Sequence, residues 1–264
     1  MLGKVLKMAG CKDCKDGAPL LIAFSMAFHP IVDVIENKIW GYESLVRGLD
    51  GQGALHVLGQ VDETNRYKFD QACRVRAIEL AGRLFSAPDT KLSINFMPNA
   101  VYEPAACIRA TLEAAHRVGF SHDQLVFEFT ENERMIDVPH VQRIIAEYRR
   151  QGFLTALDDF GAGYAGLNLL ASFQPDLIKL DMELIRSVST STSRQIIIAS
   201  IVAMAKQLGV TVLAEGIETV SELDTLRAAG IRLFQGYLFA KPTFESLPPI
   251  ANFDADGALS LRVA

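Results

Sequence analysis

From Lys91 to Phe234 the chain repeats one unit, a short apolar run followed by a longer stretch with apolar residues at helical spacing. The runs are Lys91–Phe96, Gln124–Phe129, Phe153–Leu157, Asp176–Leu180, Val210–Ala214 and Ile231–Phe234. Between them, Pro104–Arg117, Val138–Arg149, Ala165–Ser172, Ser193–Leu208 and Val220–Ala229 read as helices. Strand–helix alternation of this kind means parallel strands covered by helices. About eight strands in roughly 250 residues matches a β/α barrel in size.

The preceding segment differs. Leu20–Val34 and Lys38–Val46 read as strands joined by a short turn at Glu36-Asn37. So short a link predicts an antiparallel pair, since a parallel crossover needs about a dozen residues. A glycine-containing loop, 48–53, and a helix over about 63–85 complete the opening unit, with Phe69, Cys73, Ala77, Leu80 and Leu84 at helical spacing. The expected organisation is an N-terminal tail over 1–18, one barrel over 19–246, and a C-terminal tail over 247–264.

Charge and cysteine usage narrow the function classes. The net charge of −5 argues against a DNA, RNA or anionic-membrane binder, so a phosphate ligand needs a local site. The stretch 1–10 lacks the apolar core of a signal peptide, and the apolar segment 20–35 is broken by His29, Pro30 and Asp33. A cytoplasmic, non-membrane protein is expected. Cys73 and Cys107 fall in helices as buried thiols. Cys11 and Cys14 form a Cys-x-x-Cys that reads as reduced thiols in a tail, with half a zinc site or a redox pair as the alternative.

Chemistry in a β/α barrel sits where strand ends converge. Here the strand ends carry Glu43, Asn95, Glu128, Asp158-Asp159, Lys179 with Asp181, Glu215 with Glu218, and Gln235. Adjacent carboxylates such as Asp158 and Asp159 are costly to hold together without a positive partner. Glu43, Asn95, Glu128, Asp158 and Asp159 offer oxygen ligands, which suit Mg²⁺, Mn²⁺ or Ca²⁺. Around a shared Asp158 they could hold two cations, an arrangement suited to clamping a phosphoryl oxygen. Lys179 and Glu215 are the candidates to orient or deprotonate a water, and Arg47 can pair with a phosphate oxygen.

Each residue also has a structural reading. Glu43 could pair only with Arg47, Lys179 could be a snorkelling lysine, and Asp181 could cap the helix that follows. For Glu131 and Glu218 the loop-fixing reading is preferred. His29 is either a ligand contact or a core histidine. Gly161 to Gly166 matches the dinucleotide fingerprint GxGxxG, with Asp181 at about the ribose-acid spacing. A pyrophosphate there would meet Asp158 and Asp159, and that reading leaves the other strand-end residues without a role.

Taken together, Tyr42–Arg47, Ser93–Asn95, Glu128–Glu131, Ala156–Gly163, Ile178–Asp181, Ala214–Thr219 and Gln235–Tyr237 resemble the motifs of the EAL-domain family, in order, across about 24–242. The resemblance implies an α/β fold, a (β/α)8 TIM-like barrel with one antiparallel strand, often dimeric. It implies hydrolysis of cyclic di-GMP to linear pGpG with two divalent cations, Mg²⁺ or Mn²⁺, with Ca²⁺ inhibitory. By analogy, Glu43, Asn95, Glu128 and Asp158 ligate one metal, and Asp158 bridges to a second held partly by Asp159. Lys179 and Glu215 then serve the nucleophilic water. Leu45, Arg47, Asp181 and Gln235 face the substrate, with Gln235 supporting the second-metal region. Glu131, Gly161 and Gly163 anchor the loop after Asp159. This sequence departs from the family at Ser44 (usually alanine), His29 (usually glutamine), Gly48 (often aromatic), and Ala162, Ala165 and Gly166 (usually hydroxyl residues). The alternative function is a catalytically silent cyclic di-GMP receptor or protein-interaction module.

Overall fold

A computed structural model of the chain describes residues 20–101, 103–130, 138–163, 166–250, 252–253 and 259–260. The Cys-x-x-Cys and Glu131 lie outside them. Strands β1 (Ser25–Asp33) and β2 (Lys38–Arg47) form an antiparallel hairpin. Its turn places Asn37 in the left-handed region, φ 50°, a conformation that asparagine tolerates well. Parallel strands follow in chain order: β3 (Lys91–Asn95), β4 (Leu125–Thr130), β5 (Leu154–Phe160), β6 (Leu177–Leu180), β7 (Thr211–Ala214) and β8 (Leu233–Phe234). β8 pairs back onto β1 at Leu233 and Phe234, which closes the ring. The chain is thus a β/α barrel with β1 antiparallel to both of its neighbours.

The intervening helices are α1 (Ala54–Leu58), α2 (Arg66–Leu84), α3 (Pro104–Cys107), α4 (Arg109–Val118), α5 (Val138–Arg150), α6 (Gly166–Ser172), α7 (Met182–Ile185), α8 (Thr192–Leu208) and α9 (Val220–Ala228). Two boundaries differ from the sequence reading. The helix expected over 104–117 divides at Ile108, whose backbone is shared as the cap of both pieces. The first strand starts at Ser25 rather than Leu20, because Leu21 stands in solvent, 90% exposed. Beyond Pro242 the chain adds β9 (Thr243–Phe244), paired on Ala27 and Phe28 of β1. Within the expected C-terminal tail, β10 (Asn252–Phe253) pairs with β11 (Leu259–Ser260).

Strand alternation splits the core. Outward side chains of the strands pack under the helices in one large cluster that includes Phe28, Leu92, Phe127, Leu157 and Ile178. Inward side chains Ile31, Val126, Ala156, Leu177, Leu213 and Leu233 form a separate small cluster inside the barrel. Successive residues of a strand face opposite sides, so position i+2 shares the face of position i. Two residues past that apolar layer come Glu128, Asp158, Lys179, Glu215 and Gln235. On antiparallel β1 the same step runs backwards, from Ile31 to His29. The barrel therefore has an apolar floor and a charged layer directly above it, at the C-terminal ends of the parallel strands.

Candidate active site

Lys179 occupies the centre of that charged layer. It is 1% exposed, and its Nζ lies 2.7 Å from Glu215 Oε1, 2.8 Å from Glu128 Oε2, 3.1 Å from Asp158 Oδ1 and 3.6 Å from Glu43 Oε2. This is no snorkelling surface lysine. Burial works against its charge, but Asp158, Glu128, Glu215 and Glu43 together hold its pKa well above the ordinary lysine value. The cation that the Asp158-Asp159 pair requires is thus supplied in part by the protein.

The compensation is incomplete. One ammonium faces five carboxylates: Glu43, Glu128, Asp158, Asp159 and Glu215. Burial, with Glu43 and Asp158 adding to it, pushes Glu128 up to about 8 despite Lys179. Burial and the neighbouring carboxylates also raise Glu215 well above its usual range, and burial with Asp158 and Asp181 raises Asp159. Glu43 is lowered: burial opposes ionisation, but Lys179, His29 and the amides of Asn95 and Gln235 outweigh it. Asn95 Nδ2 donates to Glu43 Oε1 at 2.9 Å, and Gln235 Nε2 donates to Glu43 Oε2 at 3.1 Å.

Ligand-capable oxygens gather in two overlapping groups. One is Glu43, Glu128 and Asp158, and the other is Asp158, Asp159 and Glu215; within each, one oxygen per residue lies within 4.8 Å of the rest. Asp158 belongs to both. All-oxygen donors with excess negative charge fit hard divalent cations such as Mg²⁺ or Mn²⁺. Asp158 and Asp159 face the same cavity although consecutive strand residues normally alternate. The reason is a bulge: from Leu157 to Phe160, β5 takes one more step than β6 takes from Ile178 to Leu180. Asp159 sits there at φ 55°, its N–H donating to Asp158 Oδ1 at 2.9 Å and its carboxylate hydrogen-bonded by Thr130.

Two hollows border residues of this site. The first, of about 340 Å³, is lined by His29, Glu43, Asp158, Asp159, Lys179, Asp181, Met182, Glu215, Gly216, Glu218, Gln235, Gly236 and Tyr237. The second, of about 450 Å³ and mostly apolar, is lined by Leu45, Ala54, Leu58, Phe69, Asn95, Met97 and Thr130 among others. Asp181 accepts from Glu183 N at 2.8 Å as the cap of α7, and it borders the first hollow. Arg47 donates to Val46 O at 2.7 Å and lines neither hollow; its pairing with Glu43 does not form among the ion pairs described. Glu218 pairs with Arg186, a loop-fixing contact. His29 Nε2 lies 3.2 Å from Ala240 O, which it reaches as a donor. Gly161, φ 99°, turns the chain after the bulge above Leu184, and Gly163 ends the described part of that loop.

Sequence reasoning gave no role to Ser93 and Thr130. Ser93 Oγ donates to Glu128 Oε1, and Thr130 bonds Asp159. Both lie two residues from an expected ligand, Asn95 and Glu128, so strand alternation was the signal that would have found them.

The fold and the site define a β/α barrel whose mouth carries an acidic cluster able to hold a metal ion beside a buried lysine. The chain belongs to the EAL domain family, whose profile matches residues 21–242. It is similar to the blue light- and temperature-regulated antirepressor BluF of Escherichia coli (strain K12), 35% identical over 85% of this chain and 56% of that protein. It is also similar to cyclic di-GMP phosphodiesterase NbdA of Pseudomonas aeruginosa, 29% identical over 86% of this chain and 31% of that protein. The chain thus spans about half or less of these relatives' length. Among solved structures, a standalone versatile EAL protein from Vibrio cholerae O395 in its c-di-GMP-bound form superposes with a TM-score of 0.85. That protein is 52% identical, with 88% of this chain and 97% of that one covered. No helix among the described residues is long and apolar enough to cross a membrane.

Proposed function

We propose that the chain is a cyclic-guanylate-specific phosphodiesterase that hydrolyses cyclic di-GMP to linear pGpG by a two-metal mechanism. The observation that carries this is the pair of carboxylate groups sharing Asp158, with Lys179 between them. Glu43, Asn95, Glu128 and Asp158 would hold one cation, and Asp158 with Asp159 the other. Bound Mg²⁺ or Mn²⁺ supplies Lewis-acid polarisation of the phosphoryl oxygen and lowers the pKa of water.

The chain's own groups do the rest. Glu215, at 2.7 Å from the Lys179 ammonium, is placed to take a proton from the attacking water. Lys179 Nζ keeps that water oriented and offsets the negative charge that develops at phosphorus. Gln235 holds Glu43, and Ser93 holds Glu128, so neither carboxylate is free to rotate away. The two hollows support a ligand with a base on each side of a phosphodiester ring, with Leu45 and Asn95 lining one and Asp181 the other. Arg47, at the end of β2, is the residue assigned to a phosphate oxygen. Gly161 and Gly163 shape the loop through which Asp159 is held, and Glu131 belongs to the same proposal. Ile196 and Ile197 on α8, 61% and 47% exposed, support a homodimer, which sedimentation velocity tests.

Incubation with cyclic di-GMP and Mg²⁺ or Mn²⁺ should yield pGpG, and chelator should stop it. Substrate persisting under both metals would falsify the reading. A second reading, a catalytically silent receptor or interaction module, is favoured by the similarity to an antirepressor. Its signature is cyclic di-GMP binding without turnover and without a metal requirement.

A further inference from the structure

Outside the barrel, between α2, α5 and the end of β3, lies a second buried charge cluster; its Asp70 borders the second hollow, but the proposed chemistry gives Arg74 and Tyr148 no role. Arg74 is 0% exposed, the largest fully buried side chain described, and is paired through Nη2 with Asp70, itself 3% exposed. Arg74 Nη1 donates to Tyr148 Oη at 3.1 Å. Arg74 Nε is buried without a partner. A buried ion pair with an unsatisfied donor is a poor way to gain stability, because well-packed apolar residues of similar volume do as well or better. Its presence calls for another reason.

The connections point towards the acidic centre. The second carboxylate oxygen of Asp70, Oδ1, accepts from Met97 N at 2.9 Å, two residues beyond Asn95. Phe96, between them, donates its N–H to Glu128 O at 2.9 Å, and its ring lies 5.5 Å from that of Tyr148. Tyr148 also packs at 4.8 Å against Phe127, the residue before Glu128. Both peptides that follow Asn95 are therefore held, one by Glu128 and one by Asp70. Asn95 ends its strand, where backbone would otherwise be free to swing, and its amide donates to Glu43.

We infer that Asp70 and Arg74, with Tyr148, are positioning residues for Asn95: they hold the chain after β3 so that the Asn95 amide stays on the cation side of Glu43. This rests on the metal reading of Glu43, Asn95 and Glu128. Arg74 acts at one remove, orienting the Asp70 carboxylate whose free edge takes the Met97 N–H. Partners of this kind typically alter metal affinity about 10- to 100-fold when removed.

The test uses the full chain and Mn²⁺ alone, with affinity from titration calorimetry and Tm from calorimetry in chelator. Asp70→Leu combined with Arg74→Met keeps the volume apolar and removes the Met97 acceptor. It should unfold no earlier than wild type yet bind Mn²⁺ about 10-fold more weakly. Asp70→Asn keeps an oxygen for Met97 N–H but strands the Arg74 charge, so it should melt earlier and bind Mn²⁺ nearly as wild type. Affinity and stability thus move in opposite orders across the two variants. Added to Asn95→Ala, the double substitution should cost little further affinity. If affinity merely follows Tm, or if the losses add, the positioning role is wrong. If Mn²⁺ binding is indifferent to Glu43→Ala, the metal reading fails and takes this inference with it. If binding depends on Glu43 but not on the Asp70–Arg74 pair, this inference alone falls.

Discussion

Lys179 Nζ lies 3.1 Å from Asp158 Oδ1, the one carboxylate common to both ligand groups. The ammonium and the proposed cations therefore draw on the same oxygens, and the metal-free site depends on the lysine for what neutralisation it has.

Removing that charge should cost more stability than a core substitution of equal size. Lys179→Met leaves Glu43, Glu128, Asp158 and Glu215 without their buried counter-charge, at a cost of about 3–5 kcal/mol in chelator. Mn²⁺ should recover a larger share of stability in the variant than in wild type. Denaturant melts with and without Mn²⁺ measure both, and an equal metal effect in the two proteins would contradict the shared-oxygen picture.

Glu43→Ala removes a proposed ligand and the acceptor of both Asn95 and Gln235. Turnover of cyclic di-GMP should fall by ~10²-fold or more, and Glu43→Gln should not rescue it, because the charge is what the cation needs. Near-normal kcat in either variant would show that Glu43 is not a ligand.

If Glu128 is a ligand as proposed, proton and metal compete for it. Burial first, then Glu43 and Asp158, raise its folded pKa to about 8 from an ordinary 4.5. A raised carboxyl pKa contributes stability that is present below about 4.5 and is lost as pH rises through about 8, since the unfolded chain releases the proton first. The metal-free protein should lose this contribution across that window, while Mn²⁺ affinity rises by up to about tenfold per pH unit until Glu128 ionises. Calorimetric titrations from pH 6 to 9 read the slope, and a flat profile would remove Glu128 from the ligand set.

Gly236 follows Gln235 where two loops touch. A Cβ there would lie 2.2 Å from Ile217 O and 2.3 Å from Ile217 N, both backbone atoms that cannot rotate aside. Gly236→Ala should cost ~1–3 kcal/mol at the upper end of the range and displace the Gln235 amide from Glu43. Unchanged stability with unchanged Mn²⁺ affinity would mean that the loop yields without consequence.

The barrel and its charged rim were legible in the sequence because both follow from local periodicity. The alternation of apolar runs with helical stretches defines parallel strands, and the short link at Glu36-Asn37 defines the antiparallel start. The rim is legible for the same reason: Val126 and Glu128, Leu177 and Lys179, Leu213 and Glu215 are each one alternation apart. Strand alternation would also have brought out Ser93 and Thr130. α1 was missed because five residues with no side-chain cap give almost no periodic signal.

What the linear sequence could not contain is how non-local charges meet. Local rules would set Asp158 and Asp159 on opposite faces; the bulge between β5 and β6, a property of the paired strands, brings both to one cavity. Lys179 alone reads as a surface lysine, and only closure of the ring places it among carboxylates from β2, β4, β5 and the end of β7. The Asp70–Arg74–Tyr148 cluster joins α2 to α5, and its link to Met97 exists only once those helices dock. Periodicity fixes which face a residue takes, because that depends on its own backbone. Which charges share a dielectric and a partner depends on distances between segments far apart in the chain, and those the packed barrel alone decides.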